Sequence, residues 1–283
     1  LTAEAPEPSA HEALARERRL VFRRTPHVVG RASELPAPGS FFTHDALGIP
    51  LLITRDAWGA VHAMLNECRH RSTRLVYVPR GAAEQIVCSL HGWTYDTCGR
   101  FTTVRLSRCE ADAHLAHDDG SLVRFAAEVR HGFVWVLPSA RTALDLGAAL
   151  GPVDGALTAL DLEDHAAVER GEERVEASWR RVVEALLDEP NAVFAFPASF
   201  VLPREPGTAL HVAVHPLAPA ASSVVITALA ARHVDSAPAC DDARVSEALQ
   251  RAAAARSDPS PSARVAAFRD ALDRMLGSGR ERT

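Results

Sequence analysis

Two short Cys/His pairs constrain this chain more than any other feature. They are Cys68-x-His70, within Asn66-Glu67-Cys68-Arg69-His70-Arg71, and Cys88-x-x-His91, within Val87-Cys88-Ser89-Leu90-His91-Gly92-Trp93-Thr94-Tyr95. The 17 residues from Arg71 to Val87 separate them. Two thiolates and two imidazoles suffice to hold a metal centre. Each pair is expected at the tip of a short hairpin, so that the two loops close on the metal from opposite sides. A structural zinc of the Cys₂His₂ type uses the same donors. The one-residue gap between Cys68 and His70 is tight for chelating a single tetrahedral ion and suits two adjacent ions better. Four unliganded residues that share this spacing by chance are the remaining alternative.

The rest of the chain is ordinary for a globular protein. Of its 283 residues, 47% are hydrophobic and 24% charged, enough for two modest domains or one large one. The net charge of −5 provides no basic footprint for nucleic acid or an anionic membrane surface. All 31 basic residues are Arg, spread evenly, which resembles coding bias. No apolar run is long enough to span a bilayer, and Leu1 to Pro8 lack the charged-then-apolar pattern of a signal peptide. Of the five cysteines, Cys98, Cys109 and Cys240 lie outside the two pairs. They are expected as free thiols in a reducing cytoplasm.

Read in order, the first ten residues are Pro- and Ala-rich, and a short helix is expected over His11 to Val21. From Ser40 to Leu137 the pattern is all-β. Phe41 to Thr43, Leu51 to Thr54, Val61 to Leu65, Gln85 to Cys88 and Phe133 to Leu137 are short β-rich runs between Gly, Pro and Asp turns. Asp56-Ala57-Trp58-Gly59 is one such turn, and the polar stretch Cys109 to Gly120 reads as a surface loop. Thr142 to Asp164 holds a short helix or connector, and His165 to Glu176 a weakly alternating strand. Ser178 is a good helix N-cap. After it Trp179, Val182, Val183, Leu186 and Leu187 fall on one helical face, Arg180 and Glu184 are spaced to pair across it, and Pro190 ends it. Ala209 to Val214 and Ser223 to His233 read as strands. Asp241 to Arg256 and the stretch from Val265 to Leu276 read as helices, separated by a break at Ser257 to Pro261. Strands followed by strands with long helices indicate an α+β fold.

The Cys-x-His and Cys-x-x-His pattern resembles the Rieske fingerprint, in which two Cys bind one iron of a [2Fe–2S] cluster and two His the other. His70-Arg71 resembles the family's Cys-Pro-His-Arg-Gly loop, with Arg69 and Ser72 in place of Pro and Gly. His91-Gly92-Trp93, with Tyr95-Asp96 and Gly99-Arg100 beyond, resembles its second loop and turn. From about Glu17 to Leu276 the chain resembles the α subunit of a Rieske non-haem iron oxygenase of the aromatic-ring-hydroxylating type. The resemblance implies an N-terminal arm over residues 1–38 that packs beside the second domain. It also implies an all-β Rieske [2Fe–2S] domain over 39–140, held through Cys68, His70, Cys88 and His91. Residues 141–283 become a shortened helix-grip catalytic-like domain.

In that family the second domain holds one Fe(II) through two His and a carboxylate. The His ligands follow a helix that starts Asn-Trp-Lys and ends Asp/Glu-x-x-His-x-x-x-x-His. Here the helix starts Ser178-Trp179-Arg180, and Asp188 and Phe196-Pro197 set the register. Asn191 and Phe196 therefore occupy the two His positions. Asp242, in Asp241-Asp242 before Glu247 and Gln250, matches the carboxylate position as a vestigial ligand, with a dipole-favoured Asp at a helix start as its plainer role. His211 and His215, four apart on an expected strand, share a face but lie outside the family pattern. Asp188 matches the carboxylate that carries electrons between subunits of a trimer, with a solvated helix-end residue as its plainer role.

The resemblance thus implies a cytoplasmic Rieske [2Fe–2S] component of an oxygenase complex. A ferredoxin or flavin reductase would donate electrons, and the mononuclear iron would lie in an intact α-type partner subunit within a trimer-like oligomer. No mononuclear iron is expected in this chain, and neither nucleic acid nor a membrane is an expected partner. A complete mono- or dioxygenase that uses Asp242 with His211 or His215, and a non-enzymatic redox sensor or structural protein, are the alternatives.

Overall fold

The computed structural model describes residues 8–45, 48–104, 120–140, 142–234, 238–254 and 261–277. It divides the chain into two units, one over Pro26–Leu146 and one that joins Leu1–Thr25 to Gly147–Thr283. The expected boundaries were at residues 38 and 140. The first shifts because β1 (His27–Arg31) pairs antiparallel with β10 (Phe133–Ala140) and so belongs to the all-β unit.

The all-β unit contains ten strands: β1, β2 (Ser40–His44), β3 (Leu51–Arg55), β4 (Val61–Leu65), β5 (Arg80–Ala82), β6 (Gln85–Val87), β7 (Trp93–Asp96), β8 (Phe101–Val104), β9 (Arg124–Arg130) and β10. Seven of them form one antiparallel sheet in the order β1-β10-β9-β4-β3-β2-β5, and β6-β7-β8 form a second. Side chains alternate between the faces of a strand, so neighbouring residues enter different cores. Phe42, Leu51, Ile53, Ala63, Val134 and Val136 pack on one face of the large sheet. Phe41, Leu52 and Met64 pack on the other, in one cluster with Cys68, Cys88, Trp93 and Tyr95. The β-rich runs expected from the sequence are all present. The Cys109 to Gly120 loop lies, except for Gly120, outside the described residues.

In the other unit, β11 (His165–Val175), β12 (Val193–Ala195), β13 (Ser199–Pro203), β14 (Thr208–Ala218) and β15 (Ala221–Ala231) form one antiparallel sheet in the order β11-β15-β14-β13-β12. The connector before it holds two short helices, Leu146–Leu150 and Pro152–Ala159. Strand β11 is an edge strand whose centre, Glu169 to Arg174, is largely exposed and charged, a composition that discourages further strand addition. The amphipathic helix Trp179–Leu187 buries its whole apolar stripe: Trp179, Val182, Val183, Leu186 and Leu187 are each at most 1% exposed. Two more helices, Ala243–Ala254 and Ala263–Gly277, add Val245, Leu249, Phe268 and Leu272 to that core.

Two local expectations are corrected. Ser178 occupies the N-cap position, but its side chain makes no capping bond. Arg180 and Glu184 do not pair with each other: Arg180 donates to Glu17, and Glu184 receives Nε and a terminal nitrogen of Arg269 at 2.7 and 2.8 Å. Bidentate contacts between elements have better geometry than an i,i+4 pair along one helix, which stabilises by only a few tenths of a kcal/mol.

Glu17 explains why the N-terminal segment belongs to this unit. It ends the helix Ala10–Glu17, is 7% exposed, and also accepts from Trp179 Nε1 at 2.5 Å. Replacing it by Ala leaves a buried indole N–H and a guanidinium without their acceptor. Glu17→Ala is expected to destabilise this unit by about 2–3 kcal/mol, measured by chemical denaturation, with Glu17→Gln losing less.

Candidate metal centre

The two Cys/His loops are built to one backbone plan. The Cys68 amide donates to Thr73 O at 2.7 Å, and its carbonyl accepts from the Ser72 amide at 2.9 Å. The Cys88 amide donates to Trp93 O at 2.8 Å, and its carbonyl accepts from the Gly92 amide at 2.9 Å. In both, the fifth residue has positive φ: 49° at Ser72 and 71° at Gly92. The second loop joins β6 to β7. The first is closed at its base by a bridge between Glu67 and Arg74. The fully buried Asn66 strengthens that closure, its amide donating to Val76 O at 2.7 Å and accepting from Val76 N at 2.9 Å.

These loops bring the four expected ligands into one cluster. Cys68 and Cys88 are each 2% exposed, whereas His70 and His91 are half-buried, so the thiols form the inner end of the site. The two imidazoles face each other through Nδ1 at 3.1 Å. The His70 ring stacks on Trp93 with centroids 5.2 Å apart and planes 2° from parallel. Tyr95, fully buried on β7, lies with its hydroxyl 3.2 Å from Cys68 Sγ and accepts from the Arg69 amide at 3.1 Å. Burial pushes the Tyr95 phenol up, with the Cys68 sulfur adding to the rise, so the group stays protonated and can donate to a thiolate. Burial also raises the Cys68 thiol in the absence of metal.

The donor set fits a [2Fe–2S] cluster, with two thiols for one iron and two Nδ1 atoms for the other. Among the described residues, the one group of three donors gathered within 4.8 Å of one another lies elsewhere, at Asp56, His62 and Cys98.

The positions matched to a mononuclear iron are occupied differently. Asn191 is exposed in a left-handed conformation, φ 59°. Phe196 packs in an aromatic group, its ring centroid 6.5 Å from Phe194 and 6.2 Å from Phe268. Asp242 receives Arg204 through two bonds, at 2.6 and 3.0 Å, and caps the helix Ala243–Ala254 by accepting from the Arg244 and Val245 amides, each at 3.1 Å. Burial alone would raise its carboxyl, but Arg204 and the helix amides hold it below the ordinary value. His211 is buried on β14 with Nε2 2.8 Å from Ser199 Oγ, and His215 is buried on the same strand. Asp188 is exposed at the end of its helix and accepts from Ser262 Oγ at 2.9 Å.

The sequence reading missed the role of the Tyr95 hydroxyl and the Asn66 clamp. Both residues lie inside the recognised motif, but only the folded loops show what their polar atoms reach.

Two predictions follow from the loop geometry. Ser72 pays the steric cost of positive φ that Gly92 avoids, so Ser72→Gly should stabilise the cluster-loaded protein by about 0.5–1 kcal/mol after the entropy of the unfolded chain is counted. A thermal melt that fails to rise would show that the Ser72 conformation is unstrained. Tyr95→Phe removes a donor aimed at a ligand sulfur and should lower the reduction potential by tens of millivolts in voltammetry, because the donor favours the more negative, reduced state.

Comparison with known proteins agrees with this geometry. Residues 25–116 match the Rieske [2Fe-2S] domain family. The glycine betaine monooxygenase oxygenase subunit of Pseudomonas aeruginosa (strain UCBPP-PA14) is 28% identical over 165 residues, 58% of this chain and 37% of that protein. The biphenyl 2,3-dioxygenase subunit alpha of Rhodococcus jostii (strain RHA1) is 31% identical over 115 residues, 41% of this chain and 25% of that protein. The matched stretch thus spans well under half the length of either relative. A crystal structure of the quaternary ammonium Rieske monooxygenase CntA with an inhibitor superposes with a TM-score of 0.78 at 15% identity, covering 95% of this chain and 93% of that one. The chain thus carries a Rieske [2Fe–2S] domain by its family match over residues 25–116, and over the part that superposes it has the fold of a Rieske oxygenase α-type subunit.

Proposed function

We propose that this chain is the electron-transferring [2Fe–2S] component of a Rieske-type oxygenase complex, and that the iron which activates O₂ belongs to a partner subunit. In this reading Cys68, His70, Cys88 and His91 hold the cluster, which supplies one-electron redox chemistry when bound. Buried thiols and half-exposed imidazoles leave the histidine end as the side from which electrons enter and leave. On that side Leu90, between Cys88 and His91, is 53% exposed, and Tyr77 and Val78 of the same unit are 69% and 53% exposed. Apolar side chains of this size at the surface suit a docking protein, either a reductase or a neighbouring subunit.

One observation carries the reading: the mononuclear-iron positions are committed to other work. Phe196 brings a ring with no lone pair into an aromatic core, and Asp242 has both oxygens engaged by Arg204 and by a helix N-terminus. Iron binding there would break a two-bond ion pair without imidazole donors to replace it. Among the described residues, no group of three metal donors gathers around Asp242, His211 or His215. Asp188 remains solvent-facing at a helix end, as a carboxylate bridging two subunits must be.

The isolated, cluster-loaded chain is expected to contain about two irons and two labile sulfides, to be reduced by a ferredoxin or flavin reductase, and to consume no O₂ until an intact α-type subunit is added. A third tightly bound iron, lost in His211→Ala or His215→Ala and accompanied by O₂ uptake, would establish instead a complete oxygenase with unorthodox ligands. A reducible cluster that stimulates no oxygenase partner would point to a redox sensor.

A further inference from the structure

Outside the cluster loops, two further turns of the all-β unit share a common design. In Asp56-Ala57-Trp58-Gly59-Ala60, between β3 and β4, the Asp56 amide donates to Ala60 O at 2.9 Å, while Asp56 Oδ1 accepts from the Trp58 and Ala60 amides at 2.9 and 2.8 Å. In Asp96-Thr97-Cys98-Gly99-Arg100, between β7 and β8, the Asp96 amide donates to Arg100 O at 2.9 Å, and Asp96 Oδ1 accepts from the Cys98 and Arg100 amides at 2.9 and 2.8 Å. Gly59 and Gly99 take positive φ at the same place in each. The turns are tied together by Thr54, whose hydroxyl donates to Thr97 O at 2.6 Å.

This construction spends Oδ1 of Asp56 on its own turn and leaves Oδ2 for neighbours. Oδ2 lies 2.8 Å from His62 Nε2 and 3.7 Å from Cys98 Sγ, and the three donor atoms all fall within 4.8 Å of one another. Asp56 is 4% exposed, and His62 and Cys98 are half-buried. We propose that Asp56, His62 and Cys98 form a binding site for a borderline divalent cation such as Zn²⁺, separate from the [2Fe–2S] cluster.

The donor types and spacing support it. One thiolate, one imidazole and one carboxylate suit zinc and leave its fourth position for water. A tetrahedral zinc with ordinary bond lengths holds nitrogen and oxygen donors about 3.3 Å apart and sulfur and oxygen donors about 3.6 Å apart. The Asp56–His62 pair must open by about 0.5 Å to reach that spacing, and the Asp56–Cys98 distance needs almost no change. On binding, the Cys98 thiol loses its proton to solvent as the metal–sulfur bond forms, the His62 ring takes the tautomer with its proton on Nδ1, and the Asp56–His62 hydrogen bond is exchanged for two metal bonds. His62 also lines an open cavity of about 310 Å³ with Arg124, Phe125 and Thr142. The ion would pin the β3–β4 turn to the β7–β8 turn. Strand β7, roughly 10 Å long, runs from Trp93 at the cluster loop to Asp96 at this turn, so the two sites lie at its opposite ends.

The test uses the full chain with its cluster loaded, equilibrated with micromolar zinc and then exchanged into metal-free buffer. Elemental analysis should find about one zinc per chain beside the iron. Zinc should also block alkylation of Cys98, mapped by mass spectrometry. Cys98→Ser and His62→Gln should each lose the retained zinc and keep the visible spectrum of the cluster. Should one variant fail to load its cluster, the other, together with the protection of Cys98 in the unaltered chain, decides. Failure of the unaltered protein to retain zinc, equal alkylation of Cys98 with and without zinc, or zinc retained in both variants would overturn the proposal.

Discussion

Everything in the all-β unit depends on holding two loops face to face without help from helices. The means is a backbone hydrogen-bond plan used twice, at Cys68 and at Cys88, in which each cysteine is bonded through both its N–H and its C=O. A ligand so fixed loses little further freedom when metal binds, the general requirement for a preorganised site. The apolar cluster of Phe41, Leu52, Met64, Trp93 and Tyr95 then presses the loop bases together. The same strands that form the core therefore aim the ligands, and the thiols sit inside for the same reason that Leu52 and Met64 do.

The other unit shows the opposite use of a scaffold. Its helix Trp179–Leu187 buries its apolar face in one core with residues of the five-stranded sheet. The segment after that helix carries an aromatic ring where the resemblance would place a metal donor, and Phe194, Phe196, Phe200 and Phe268 contact one another there. Burying such rings stabilises the fold by the hydrophobic effect and by edge-to-face contacts. Arg204 and Asp242 satisfy each other nearby, a partly buried ion pair that removing either partner would disrupt.

Charged groups proved the least legible part of the sequence. Spacing suggested an Arg180–Glu184 pair, yet both side chains reach across to other elements, Glu17 and Arg269. Local spacing names the candidates for an ion pair but not the winner, since long side chains take the partner with the best geometry. The N-terminal helix shows the same limit. Its pattern was readable, but its assignment to the second unit rests on Glu17 meeting Trp179 and Arg180, 162 and 163 residues away.

By itself, the sequence determined the Cys/His motif, the strand runs around it and the apolar face of Trp179–Leu187, and it set Asn191 and Phe196 where the resemblance would place His. All of these are local in the chain: fixed short spacings, a period of two or of 3.6, or a register within one segment. Tertiary structure alone decided which carboxylate meets which arginine, that Tyr95 reaches Cys68, that β1 joins the sheet beside β10, and that Cys98 lies beside Asp56 and His62. Each of those joins residues far apart in sequence, and their meeting depends on how strands stack and which way their side chains alternate, information that no single segment carries.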